Sequence, residues 1–94
     1  LPYGRHSVDE ADIQAVIDVL RSDWLTTGPL IKVFERAVAE FVGARNGVAL
    51  SSGTSALHAT MHAIGIRPGD EVIVSPMTFV ATSNAVVFQG GTPI

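Results

Sequence analysis

Between residues 48 and 94 two kinds of segment take turns, and this alternation constrains the fold more than any other feature. Val48-Ala49-Leu50 and Glu71-Val72-Ile73-Val74-Ser75 are short runs, the second rich in the β-branched residues that suit a strand. Between them Ala56, Leu57, Thr60, Met61 and Ile64 recur at helical spacing across residues 55–64, followed by Gly65 and the turn Arg67-Pro68-Gly69-Asp70. After Pro76, residues 78–89 return to a helical pattern closed by Gly90-Gly91, and Gly91-Thr92-Pro93-Ile94 reads as the start of a further strand. Strand, helix, strand, helix, strand start is the order of a parallel α/β sheet. Right-handed crossovers then put the loops after Leu50 and after Ser75 on one carboxyl edge of that sheet.

Upstream the pattern is helical. Residues 1–6 read as an extended arm, since Pro2 and Gly4 discourage regular structure. Ser7-Val8-Asp9-Glu10 has the spacing of a capping box, with Ser7 as cap and Glu10 reaching back. Ile13, Val16, Ile17 and Leu20 then fall at i, i+3, i+4 and i+7, which predicts a helix of about four turns with one apolar stripe. Trp24-Leu25-Thr26-Thr27-Gly28-Pro29 is a loop by its Gly-Pro, and its Trp is expected to plug the core. A second helix follows from about Pro29, with Val33, Phe34, Ala37, Val38, Phe41 and Val42 inward and Gly43 as its C-terminal cap. No repeat, low-complexity tract or long linker interrupts the chain, so one structural unit is expected.

Composition narrows the function. Hydrophobic residues make up 47% of the 94 and charged residues 16%, against about 25% charged in a typical soluble domain. A chain this short has much surface to cover, so some of this apolar surface is expected to meet protein outside it. Its first residue is Leu1 and its last are Thr92-Pro93-Ile94, and the expectation is a piece of a longer protein. A net charge of −3, with six Lys and Arg spread singly, leaves no basic stripe for nucleic acid. No apolar run approaches the ~18 residues that cross a bilayer. The absence of Cys fits a reducing compartment, and the cytoplasm is the expected one.

Chemistry concentrates where strands give way to helices. Ser51-Ser52-Gly53-Thr54-Ser55 lacks the Gly-Lys-Ser/Thr of a Walker loop, the G-x-G-x-x-G of a dinucleotide site and the Gly-x-Ser-x-Gly of a nucleophile elbow. What remains is a hydroxyl-rich turn with one Gly that lets a ligand approach, ahead of helix N–H groups that lack partners. It reads either as an anion site or as a plain helix cap. In Ser75-Pro76-Met77-Thr78-Phe79-Val80-Ala81-Thr82, taken by itself, Phe79 reads as core, with stacking on a planar ligand as the alternative. His58 and His62 stand at i, i+4, yet no Glu follows His58 and no third ligand is evident, so they read as helix packing or surface.

Four motifs in order carry a resemblance: Leu25-Thr26-Thr27-Gly28-Pro29, Ser51-Ser52-Gly53-Thr54-Ser55-Ala56-Leu57, Gly69-Asp70-Glu71-Val72-Ile73 and Thr78-Phe79-Val80-Ala81-Thr82-Ser83-Asn84-Ala85. Throughout its length the chain resembles the pyridoxal-phosphate-dependent sugar aminotransferases of the DegT/DnrJ/EryC1/StrS family. Pro2-Tyr3-Gly4-Arg5-His6-Ser7 looks most like the branch that makes the 4-amino sugar precursor of pseudaminic acid, with the 4-amino-4-deoxyarabinose branch a near second.

The resemblance implies the α/β fold of the aspartate-aminotransferase type (fold type I). Residues 1–94 would form an N-terminal arm, two helices and the start of the parallel-sheet large domain that binds pyridoxal 5'-phosphate. It implies that Gly53, Thr54 and Ser55 hold the cofactor phosphate and that Phe79 stacks on its pyridine ring. Trp24, Leu25, Thr26, Thr27 and Gly28, with Tyr3 from the arm, would face the nucleotide-sugar substrate. The parent enzyme would move an amino group from an amino acid, such as glutamate, to the 4-keto carbon of a nucleotide-linked deoxysugar, as a homodimer. The family's cofactor-bonding Lys lies beyond the matched region, and Lys32, the single Lys here, reads as surface. The segment alone is therefore expected to be inactive. A dehydratase of the same family, or a noncatalytic phosphate-binding α/β module, are the alternatives.

Overall fold

The computed structural model describes residues 4–94. Among these residues the elements run α1 (Glu10–Arg21), α2 (Leu30–Val42), α3 (Gly53–Ala63), β1 (Glu71–Val72), α4 (Ala81–Val87) and β2 (Thr92–Pro93). They fall into two compact units, one ending at Ala49 and the other spanning Leu50–Ile94, where the sequence suggests a single one.

In the first unit, α1 starts later than a Ser7 cap predicts. Asp9 is the cap: its Oδ1 accepts the N–H groups of Ala11 at 2.9 Å and Asp12 at 3.0 Å, and Asp12 Oδ2 accepts the Asp9 N–H at 3.1 Å. A carboxylate brings a full negative charge to the positive end of the helix, which a serine hydroxyl lacks. α2 ends as expected. Gly43 adopts φ 70°, and the Ala44 N–H reaches back to the Ala39 carbonyl at 2.8 Å. Both helices carry their apolar stripes, but the stripes are not inward. Val16 and Leu20 on α1 and Phe34, Phe41 and Val42 on α2 are all exposed, Phe41 by 89%, and Ala39 alone on α2 is buried.

Residues 47–49 are held to α2 by Glu35. Gly47 lies so close that a Cβ there would collide with the Glu35 backbone carbonyl. The Ala49 N–H donates to Glu35 Oε1 at 3.0 Å, and Lys32 Nζ donates to Oε2 at 2.8 Å. The strand expected at Val48-Ala49-Leu50 is absent for the same reason: a side chain, not a neighbouring strand, takes the Ala49 amide. The Lys32 ammonium, and after it the Ala49 amide, hold the Glu35 carboxyl below its ordinary value.

In the second unit, β1 and β2 pair in parallel, with Glu71 opposite Thr92 and Val72 opposite Pro93. The Thr92 N–H donates to the Asp70 carbonyl at 2.8 Å, Ile94 to Val72 at 2.8 Å and Val74 to Ile94 at 2.9 Å. Pro93, which has no N–H, sits where the ladder asks none of it. α4 is the crossover that a parallel pair requires. Ala85 and Val86 are fully buried, and Gly91 approaches so closely that a Cβ would lie 3.0 Å from Val86 Cγ1. α4 is shorter than the 78–89 pattern predicts. Val80 stands at its cap position with no side-chain bond to offer, so residues 78–80 remain a turn, and 88–90 close it with successive N–H bonds to Asn84, Val86 and Val87.

A depressed carboxyl pKa stabilises the fold above the group's unfolded value, and that contribution is lost as pH falls through the folded value. Glu35→Ala is therefore expected to lower the melting temperature at neutral pH, and the gap to wild type is expected to close in acid. Thermal melts across that range check it; a pH-independent gap would contradict the clamp.

Candidate functional site

The start of α3 is built from small hydroxyl side chains. Ser52 is the cap, its Oγ accepting the Ser55 N–H at 3.1 Å, and its carbonyl accepts the Ala56 N–H at 3.1 Å. The Ser55 hydroxyl lies 3.2 Å from that of Ser51 and 3.0 Å from that of Ser52. Among the described residues the N–H groups of Gly53 and Thr54 find no acceptor, nor does the Thr54 hydroxyl find a partner. Nothing lies within 4 Å of where a Gly53 Cβ would stand. Two unpaired amides at the positive end of an 11-residue helix, with open space beside them, fit the phosphate of an anionic ligand. Of the three residues expected to hold phosphate, Gly53 and Thr54 have amides to give. Ser55 has spent its amide on Ser52, whose capping role was legible only as a Ser before Gly-Thr.

The second loop leaves the carboxyl end of β1. Phe79 is 75% exposed, which corrects its reading as core, and Thr78 and Thr82 bring their hydroxyls to 3.3 Å. No hydrogen bond joins this loop to the 51–55 turn among the described residues. The parallel pair establishes a carboxyl edge for the loop after β1, whereas no strand at residues 48–50 does so for the turn.

The loop at 24–28 belongs to the first unit. Trp24 is 58% exposed, so it does not plug a core; Leu25, Thr26 and Thr27 are exposed and Gly28 is half-buried. A Cβ on Gly28 would lie 2.9 Å from Trp24 Cβ, which explains a Gly there. Thr27 holds φ 54°, a costly conformation for a β-branched residue, with its hydroxyl donating to the Thr26 carbonyl at 2.7 Å. Nothing in the local sequence signals that strain. Tyr3, the remaining expected substrate contact, lies outside the described residues. The two α3 histidines face α4: the His58 ring packs on Phe88, and His62 Nδ1 lies 3.4 Å from Gln89 Oε1. Lys32 is exposed and paired with Glu35.

The DegT/DnrJ/EryC1/StrS aminotransferase family model matches residues 6–94. The chain belongs to that family. It is 46% identical, over its whole length, to the UDP-4-amino-4-deoxy-L-arabinose–oxoglutarate aminotransferase of Shewanella sediminis, and covers 24% of that protein. Among solved structures it is similar to Helicobacter pylori PseC, an aminotransferase of pseudoaminic acid biosynthesis, with 36% identity and TM-score 0.89 over 99% of this chain and 26% of PseC. It is likewise similar to Spr1654 of Streptococcus pneumoniae, proposed to be a sugar aminotransferase and solved in PLP, PMP and apo forms. There the identity is 38% and the TM-score 0.87 over the whole chain and 24% of Spr1654. The chain thus spans about a quarter of the curated relatives it matches. Its fold is the first part of the fold type I architecture of these sugar aminotransferases. No helix among the described residues is long and apolar enough to cross a membrane.

Loss of the α3 cap is measurable. Ser52→Ala is expected to cost about 1 kcal/mol in urea unfolding, and Ser51→Ala, which breaks only an exposed hydroxyl contact, within about 0.5 kcal/mol. Equal losses would contradict the capping assignment.

Proposed function

We propose that this chain is the cofactor-anchoring N-terminal segment of a pyridoxal-phosphate-dependent nucleotide-sugar aminotransferase, the opening of its large domain. What carries the reading is the coincidence of the family match with two unpaired amides, at Gly53 and Thr54, on the turn that opens α3. In this reading Gly53 and Thr54 donate their N–H groups to the cofactor phosphate, and the Thr54 hydroxyl adds a third donor. Ser55 braces the turn from within through its contacts to Ser51 and Ser52. The exposed Phe79 ring lies against the pyridine face. When bound, the cofactor supplies the electron sink for amino transfer, while the protein supplies position and charge.

The substrate proposed is a nucleotide-linked 4-keto deoxysugar, with glutamate as the amino donor. The oxoglutarate in the name of the Shewanella relative supports the donor, and the similarity to PseC supports the sugar class. The exposed loop at 24–28, strained at Thr27, is proposed as the sugar-facing surface of this segment, with Tyr3 beside it. A homodimer is the proposed assembly, and the exposed stripes of α1 and α2 supply apolar surface of the kind such an interface uses. Lys32, held by Glu35 on an exposed helix turn, is not proposed as the residue that bonds the cofactor.

The test is full-length protein mixed with pyridoxal phosphate, glutamate and a UDP-linked 4-keto-6-deoxysugar. Formation of 2-oxoglutarate together with the 4-amino sugar is expected. Loss of a sugar hydroxyl without oxoglutarate would replace the reading with a dehydratase.

Two variants address the site directly. Thr54→Val is expected to weaken cofactor binding about tenfold, the worth of one hydrogen bond to a charged group, and more than Ser51→Ala does; equal effects would count against the assignment. Phe79→Leu is expected to weaken binding by roughly 2- to 10-fold, the range of an aromatic stack, with the fold intact, as read by cofactor titration and circular dichroism.

A further inference from the structure

The packing of α3 on α4 contains one polar atom that the hydrogen-bond network leaves out. His58 is half-buried, its ring centroid 4.7 Å from that of Phe88 at an interplanar angle of 53°. Its Nε2 is sealed from solvent and has no hydrogen-bond partner. The residues that seal it belong to this chain, so no further element can reach the atom without displacing them. A buried ring nitrogen without a partner stabilises nothing. What His58 contributes at that edge is the shape of its ring against Phe88. One helical turn on, His62 Nδ1 lies 3.4 Å from Gln89 Oε1, so the C-terminal half of α3 meets the residues that end α4 at two successive levels.

Each of these helices begins at one of the loops assigned above to the cofactor. α3 opens on Gly53 and Thr54, and α4 follows directly after Phe79 and Val80. Five residues of helix, about 7.5 Å at 1.5 Å per residue, separate His58 from Gly53. A tilt or slide of α3 at the His58–Phe88 contact is therefore carried to the turn. The corresponding loop on the other helix is tied to β1, whose parallel partner follows α4 and is packed through Gly91 onto Val86. The loop before α4 is thereby placed by the strand pair, and the phosphate turn by how α3 is seated on α4.

We propose that His58, seated on Phe88, is a positioning residue that sets the spacing between the phosphate turn at Gly53–Thr54 and the ring-contacting Phe79, and so how tightly and in what orientation pyridoxal phosphate is held. The proposal rests on the assignment of those two loops to the cofactor.

The experiment uses full-length apoprotein of wild type, His58→Ala, His58→Leu, Phe88→Leu and Thr54→Val. Pyridoxal phosphate is titrated into each, the visible circular dichroism of the bound cofactor is recorded, and each apoprotein is melted. His58→Ala is expected to raise the cofactor dissociation constant about tenfold and to change the dichroic signal. His58→Leu, which keeps the volume and has no nitrogen to leave unpaired, is expected to restore both, with an apoprotein melting temperature at or above wild type. Phe88→Leu is expected to repeat the His58→Ala signature in milder form, and it stands in for that variant should His58→Ala fail to fold. A lowered melting temperature with unchanged cofactor affinity and dichroism would show His58 to be mere packing and overturn the proposal. If Thr54→Val weakens binding and the α3–α4 variants do not, the positioning role fails alone. If Thr54→Val also binds normally, the phosphate assignment fails and the proposal with it.

Discussion

The second unit depends on the parallel pairing of β1 with β2. Parallel strands cannot be joined by a tight turn, so the chain must leave the carboxyl end of β1, cross over and return in the same direction. α4 is that crossover, and its burial follows from the pairing. Ala85 and Val86 face inward with no exposure, and Gly91 is required because a Cβ there would lie 2.8 Å from Ile66 Cγ2 and 3.0 Å from Val86 Cγ1. The same pairing puts the loop containing Phe79 at a carboxyl edge, the place where open α/β sheets leave room for ligands. Had the strands run antiparallel, a two-residue turn would have served and there would be no such loop.

The periodicity of the sequence made the order of elements legible because it records which residues face apolar neighbours, wherever those neighbours come from. It did not reveal whether the neighbours lie within the chain. Ile13, Val16 and Leu20 stand at helical spacing, yet in this structure they face outward. Fully burying a side chain of this kind is worth about 1.5–3 kcal/mol. A handful on α1 and α2 therefore amounts to about 10 kcal/mol, comparable with the whole stability of a domain. Exposure on that scale fits a segment that covers a quarter of its relatives.

The local departures from the sequence pattern have separate physical causes. The cap of α1 went to Asp9 over Ser7 because charge favours the carboxylate at a helix N-terminus, and a spacing rule alone does not weigh charge. The run at 48–50 has strand composition, but a strand is defined by its partner, and Glu35 occupies the Ala49 amide. Trp24 and Phe79 read as core from the sequence but stand exposed in loops, where aromatic rings can serve ligands and partners. The turn at 51–55 was legible as a hydroxyl-rich turn of two possible meanings. Which of its amides stay unpaired depended on Ser52 turning its hydroxyl toward Ser55 and not toward Gly53 or Thr54, a choice that composition does not contain.

The two helix starts in this unit are chemically unlike, and that difference supports dividing labour between them. α3 is 11 residues long, capped by a hydroxyl, and begins with Gly53 and Thr54, whose small side chains leave their amides accessible. α4 is 7 residues long and has no side-chain cap, and the residues before it are Phe79 and Val80, which present exposed apolar surface. A ligand with a phosphate at one end and an aromatic ring at the other has a chemical match at each of the two helix starts. A simple anion needs only the first and leaves the exposure of Phe79 unexplained. A purely apolar ligand needs only the second and leaves two amides unpaired at the positive end of α3. Pyridoxal phosphate has both ends, which is why the pair of helix starts supports the cofactor assignment more strongly than either does alone.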